Sequence, residues 1–145
     1  FELALACDLM IADEAAQLGD EHIRRNLLPS GGSSQRLPRK IGLQRAMFYL
    51  VTGRRMSGRE AEALGLASLA VPAGQLDEAT LQLATEIAAA DPLALASMKQ
   101  MARRSLELPL QDGLSFERWM QHRYRTLSPA LEAGVQAFAR QGDNK

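Results

Sequence analysis

Apolar residues recur on short, irregular periods up to about residue 72 and on a helical period after it. Residues 2–8, ELALACD, are apolar at helical spacing and predict the tail of a helix. Residues 9–12 read as a short buried strand, Asp13 and Glu14 turn the chain, and residues 16–18 predict a second short strand. A polar stretch, LGDEHIRRNLLPSGGSSQRL, then fills residues 18–37. Within it Asp20 can cap a short helix begun by Glu21 and His22. Pro29 and Gly31-Gly32 force a turn, and Ser33 or Ser34 is expected to cap a helix over 34–41. A further helix is predicted over 43–51, set apart by Gly42 and stopped at Gly53. Ser57-Gly-Arg-Glu60 is a capping box that opens a brief helix ended by Gly65, and residues 66–71 predict extended chain.

Pro72 and Gly74 mark the sharpest change in composition, which predicts two parts, 1–72 and 73–145. The second part is helical. Leu76, Ala79, Thr80, Leu83, Ile87 and Ala90 share one face of its first helix. Asp91-Pro92 caps the second helix, lined by Leu95, Met98, Ala102 and Leu106. A third helix over 110–127 carries Phe116, Met120, Tyr124 and Leu127 on one stripe, with Trp119 off it and suited to a contact with another subunit. Ser128-Pro129 starts a last helix whose Leu131, Val135 and Phe138 are expected to face inward. These stripes offer more apolar face than one chain can cover, so association of copies is expected.

Charge changes this picture little. The 145 residues hold 17 Lys plus Arg against 17 Asp plus Glu, a balance that gives no electrostatic case for nucleic acid or an anionic membrane as partner. No apolar run approaches the roughly 20 residues of a membrane span. Cys7 is the only cysteine, so no internal disulfide forms, and its apolar neighbours predict a buried, inert thiol. The chain opens at Phe1 inside an apolar run, which suggests a piece of a longer protein. A cytoplasmic location is expected, with organellar import left open by the start at Phe1.

The candidate chemistry sits in residues 18–37, where one of two histidines stands beside two carboxylates. Read from residues alone, this is either a site held between a strand end and a helix start or a well-made surface turn. Other chemistries find no support. Two histidines and one cysteine give no metal-ligand spacing, and neither a G-x-S-x-G elbow nor a Walker or dinucleotide fingerprint occurs.

Several phrases, in order, are more specific: ELALACD, then AQLG, LLPSGGSSQRLPRKIG, LVTGRRMSGREAEALGLAS, DPLALASMKQMARRS and SPALEAGVQAFARQ. Together they resemble the enoyl-CoA hydratase/isomerase family, also called the crotonase family. The most specific run is TG-x-x-M-S-x-x-E-A-x-x-x-G-L at residues 52–66. The resemblance implies an α/β fold: the end of a crotonase-like ββα spiral, followed by a mainly helical C-terminal trimerisation region. It implies an acyl-CoA thioester as substrate, coenzyme A entering only as part of that substrate, no separate cofactor and no metal. It also implies a homotrimer or hexamer, with the oxyanion-hole amides and most of the coenzyme A site upstream of Glu2.

The same resemblance assigns residues. Its first catalytic glutamate falls on Glu2. Its second falls on His22, because Gly19 and Ile23 fix the register; a small shift would bring Glu21 in instead. A histidine can serve as general base or acid in place of a carboxylate, with Glu21 or Asp20 orienting the ring. Gly19, Ser30 and Gly31 fall where the family binds substrate, and glycine permits the close approach of a loop. The implied activity is that of an enoyl-CoA hydratase or isomerase, which stabilises an enolate-like oxyanion and moves protons at the α and β carbons. A thioester hydrolase, a C–C-cleaving enzyme using His22 and a non-catalytic acyl-CoA-binding protein stay open at this point. The piece in hand is not expected to act alone.

Overall fold

The first apolar segment becomes helix α1 (Glu2–Ala6), which buries Leu5. The computed structural model describes residues 1–142. Strand β1 (Ile11–Asp13) follows, then β2 (Gln17–Leu18), and a 3₁₀ turn at His22–Arg25 that ends with Asn26 in the left-handed region. Helices α2 (Ser33–Ile41) and α3 (Leu43–Thr52) come next, then β3 (Met56–Ser57), α4 (Gly58–Ala63) and β4 (Leu69–Val71). The remaining elements are helices: α5 (Leu76–Ala88), α6 (Pro92–Arg104), α7 (Leu110–Leu127) and α8 (Ala130–Gly142).

The chain divides into two compact units, the first Phe1–Leu83 and the second starting at Ala84, so α5 crosses the boundary. In the first unit β1 pairs in parallel with β4, Ala12 opposite Ala70, and β2 pairs antiparallel with β3, Leu18 opposite Met56. Helix α4 joins these pairs, and its capping box forms as the sequence predicts: Ser57 Oγ accepts from the Glu60 amide while Glu60 accepts from the Ser57 amide. The core gathers Leu5, Leu37, Ile41, Ala46, Met56, Ala61 and Leu66. A fully buried side chain such as Leu37 or Met56 contributes about 2 kcal/mol. This core fixes α1 against α2 and thereby positions the polar residues at their starts.

Three local expectations need correction. Neither Ser33 nor Ser34 caps α2; Gly32 holds the N-cap position with φ +102°, a conformation that favours glycine, and Ser33 is the first helical residue. Cys7 is exposed, because it follows the last turn of α1 and its thiol reaches the Leu3 carbonyl rather than the core. Over 66–71 only Leu69–Val71 is strand; Leu66 and Ala67 are buried in the turn that leaves α4.

In the second unit the Asp91 carboxylate caps α6 by accepting from the Ala94 amide at 2.7 Å, and Ser128 donates to its other oxygen. Arg104 lies over the ring of Phe116, and Trp119 stacks on the same ring. The predicted stripes exist but stay largely uncovered. Met120 is the one buried apolar side chain among the described residues of this unit, whereas Met98, Leu106, Leu127, Val135 and Phe138 are exposed. Of the three residues expected to face inward from the last helix, Val135 and Phe138 are therefore exposed and Leu131 is half-buried.

Candidate active site

Glu2 is the first residue of α1, and its carboxylate meets the start of α2. Its Oε1 accepts from the Ser33 amide at 3.1 Å. That amide is one of the unpaired donors at a helix start, where the dipole also favours an anion. The backbone of Gly31 closes on the other side: a Cβ there would lie 2.7 Å from Glu2 Oε2 and 2.8 Å from Cδ. Gly31 thus leaves the volume that the carboxylate occupies. Arg36 Nη1 donates to the Gly31 carbonyl and braces the loop.

Ser33 is fully buried and uses both of its donors. Its amide serves Glu2 and its hydroxyl donates to Asp20 Oδ2. Asp20 is also buried, and its Oδ1 accepts from the His22 amide at 3.0 Å and lies 2.6 Å from His22 Nδ1. Burial alone would push the Asp20 carboxyl up; the Ser33 hydroxyl and the two His22 donors outweigh it and hold the carboxyl below its usual range. The imidazole borders an open hollow of about 310 Å³ lined also by Gly19, Glu21, Arg25 and Leu27.

Glu21 lines the same hollow, but its carboxylate is taken up by arginines. Arg55 grips its carboxylate with two donors, Nε at 3.0 Å and Nη2 at 2.7 Å, and Arg24 and Arg25 stand at 3.5 and 3.9 Å. The Arg55 hydrogen bonds come first in holding Glu21 below the usual carboxylate range. A carboxylate so engaged stays ionised and has few lone pairs left for a substrate proton. Gly19 packs on the Arg54–Arg55 backbone, where a Cβ would meet the Arg54 carbonyl at 2.9 Å. Ser30 is exposed in the loop before Gly31.

Glu2 and His22 are therefore joined through two residues, Asp20 and Ser33, whose sequence positions predict only caps or, for Asp20, one possible orienter of the ring, while Gly31 packs directly on Glu2. Glu21 is engaged by an arginine cluster and makes no bond to that network. Among the described residues no three His, Cys, Asp or Glu side chains gather as a metal site, and no helix is long and apolar enough to cross a membrane.

Comparison with known proteins adds the chemical context. The profile of the family described as Enoyl-CoA hydratase/isomerase matches residues 1–145. The chain is 38% identical over 140 residues to the 2,3-dehydroadipyl-CoA hydratase of Escherichia coli (strain K12), covering 94% of this chain and 53% of that protein. It is 40% identical over 120 residues to the Bos taurus mitochondrial protein called enoyl-CoA hydratase domain-containing protein 2, covering 80% and 40%. The crystal structure of an enoyl-CoA hydratase from Bacillus anthracis superposes with a TM-score of 0.88 at 37% identity, over 96% of this chain and 54% of that one. The chain spans about half the length of the relatives it matches.

Proposed function

Because the chain belongs to the enoyl-CoA hydratase/isomerase family, we propose that the intact protein acts on acyl-CoA thioesters by moving protons at the α and β carbons, with Glu2 and His22 as its acid/base pair. The observation that carries this reading is the single buried serine that holds one group and orients the other: Ser33 donates to Glu2 through its amide and to Asp20, the partner of His22, through its hydroxyl. In the reaction type implied, the thioester carbonyl is polarised by backbone amides and the developing enolate is stabilised there. Glu2 and His22 then hold a water or a substrate proton between them, and one group accepts a proton while the other delivers one.

A carboxylate and an imidazole divide that work in a way two carboxylates do not. A neutral imidazole carries one N–H donor and one bare acceptor nitrogen, whereas an ionised carboxylate only accepts. Coenzyme A belongs to the substrate and leaves with the product. A homotrimer or hexamer forms part of the proposal, supported by the uncovered apolar faces of α3 (Leu43, Met47, Val51) and α8 (Val135, Phe138).

The test is Glu2→Gln in the intact protein, assayed with a short enoyl-CoA. The amide keeps the shape and can still accept from the Ser33 amide, but it cannot take up or release the proton. Turnover should fall by about 100-fold or more, the usual scale for such a group, while acyl-CoA binding by calorimetry stays within a few-fold. Unchanged turnover would return Glu2 to the role of a first-turn helix residue.

A further inference from the structure

We infer that Asp20 is a positioning residue that fixes His22 as its Nδ1–H tautomer, leaving Nε2 as the bare nitrogen, and that Ser33 locks this pair to Glu2. The functional consequence rests on the acid/base reading above; the tautomer assignment does not.

The Asp20 side chain is 4% exposed, so its charge must be met inside the protein. Three donors meet it: the Ser33 hydroxyl on Oδ2, and the His22 amide and Nδ1 on Oδ1. An ionised carboxylate can only accept hydrogen bonds. The ring nitrogen facing it at 2.6 Å is therefore the donor. A neutral imidazole has one N–H, so Nε2 is left with its lone pair. The other carboxylate beside the ring, Glu21, is held by Arg55 and does not compete for Nδ1.

Ser33 adds the second half of the device. Its hydroxyl proton goes to Asp20, and its amide, the first of α2, goes to Glu2. A movement of α2 would disturb both candidate groups at once. When Nε2 takes a proton, the ring becomes an imidazolium with an anion 2.6 Å from Nδ1, and the charge is balanced without moving a group. When Nε2 returns the proton, the same hydrogen bond restores the starting tautomer.

The experiment uses the intact protein with ¹⁵N-labelled histidine, recorded above the titration range of the ring so that the neutral form is seen. His22 is assigned by loss of its signals in His22→Gln. The expected spectrum shows a protonated Nδ1 and a bare Nε2 for His22. In Asp20→Ala the ring should relax toward the Nε2–H form, and kcat should fall about 10-fold or more with KM within a few-fold. Asp20→Asn can keep an oxygen facing the His22 amide and Nδ1, so it should retain the Nδ1–H tautomer, but without the anion that balances the imidazolium its turnover should stay low. A wild-type spectrum with Nε2 protonated would overturn the inference even if Asp20→Ala fails to fold, and so would an Asp20→Ala tautomer identical to wild type. The two readings fail separately: full turnover in His22→Gln removes His22 from catalysis but leaves a wild-type Nδ1–H tautomer standing as support for the Asp20 assignment.

Discussion

Gly31→Ala is the sharpest probe of how closely the loop and Glu2 are fitted. Gly31 does not have a positive φ, so alanine meets no backbone strain there and the whole effect comes from space. The added Cβ would lie 2.7 Å from Glu2 Oε2, 2.8 Å from Cδ and 3.0 Å from Cβ, whereas ordinary contact begins at 3.4 Å. The carboxylate must therefore retreat by about 0.7 Å, and because Glu2 Cβ is also crowded, rotating the carboxylate alone does not relieve the contact. The Ser33 amide bond to Oε1, 3.1 Å long, cannot keep its geometry when the carboxylate shifts. A misplacement of about 1 Å can cost about 100-fold in rate, so kcat should fall by roughly 10- to 100-fold. The loss of one partly exposed hydrogen bond should cost only about 1 kcal/mol of stability.

Steady-state hydration of a short enoyl-CoA by the intact protein, with thermal melting alongside, measures both quantities. A double variant, Gly31→Ala with Glu2→Gln, isolates the cause: if Gly31 acts through Glu2, adding the alanine to Glu2→Gln should change little. Turnover within about two-fold of wild type in Gly31→Ala, or losses that simply multiply in the double variant, would refute the reasoning.

Two further outcomes follow from the same geometry. Glu21→Gln should leave turnover within a few-fold, because that carboxylate is spent on Arg55; a 100-fold loss would make Glu21 the acid/base group instead of His22. Its effect should appear in stability against pH: the folded pKa lies below the unfolded value of about 4.3, so the wild type gains over Glu21→Gln above that value, and the two melting temperatures should converge as pH falls through the lower folded pKa. Light scattering of the intact protein should give a trimer or hexamer, since Phe138 is 81% and Leu43 67% exposed in the single chain; a monomer at micromolar concentration would contradict the assembly.

Much of the frame was legible because it rests on local chemistry. Ser57 and Glu60 satisfy each other's amides within one turn, and Asp91 before Pro92 can hardly do otherwise than start a helix. Helix stripes were legible as periodicity, but what covers them was not. Val135 and Phe138 form an apolar pair by spacing, and spacing does not say whether the partner face belongs to the same chain. The start of α2 departs from the sequence expectation for a related reason. A serine near a helix start suggests a side-chain cap, yet Gly32 took the N-cap position and freed Ser33 to turn its hydroxyl to Asp20, thirteen residues earlier. Such a bond depends on packing of α1, α2 and the 3₁₀ turn and leaves no local signature.

The Asp20–His22 pair, by contrast, had a signal. An aspartate often accepts from the amide two residues on, and Asp20 does so at 3.0 Å. That bond brings the carboxylate to the side on which His22 carries Nδ1, so backbone turn and ring orientation are set by one oxygen. Glu21 is the nearer residue in sequence, but its side chain is pulled to Arg55 across the 34 residues that separate them. The contrast matters for the chemistry. A glutamate has two equivalent oxygens, so no tautomer needs to be chosen. An imidazole has two unlike nitrogens, and only a fixed partner makes one of them reliably the base. Where the family resemblance implies a glutamate, this chain therefore places a unit of histidine, aspartate and serine, and the serine carries the constraint on to Glu2.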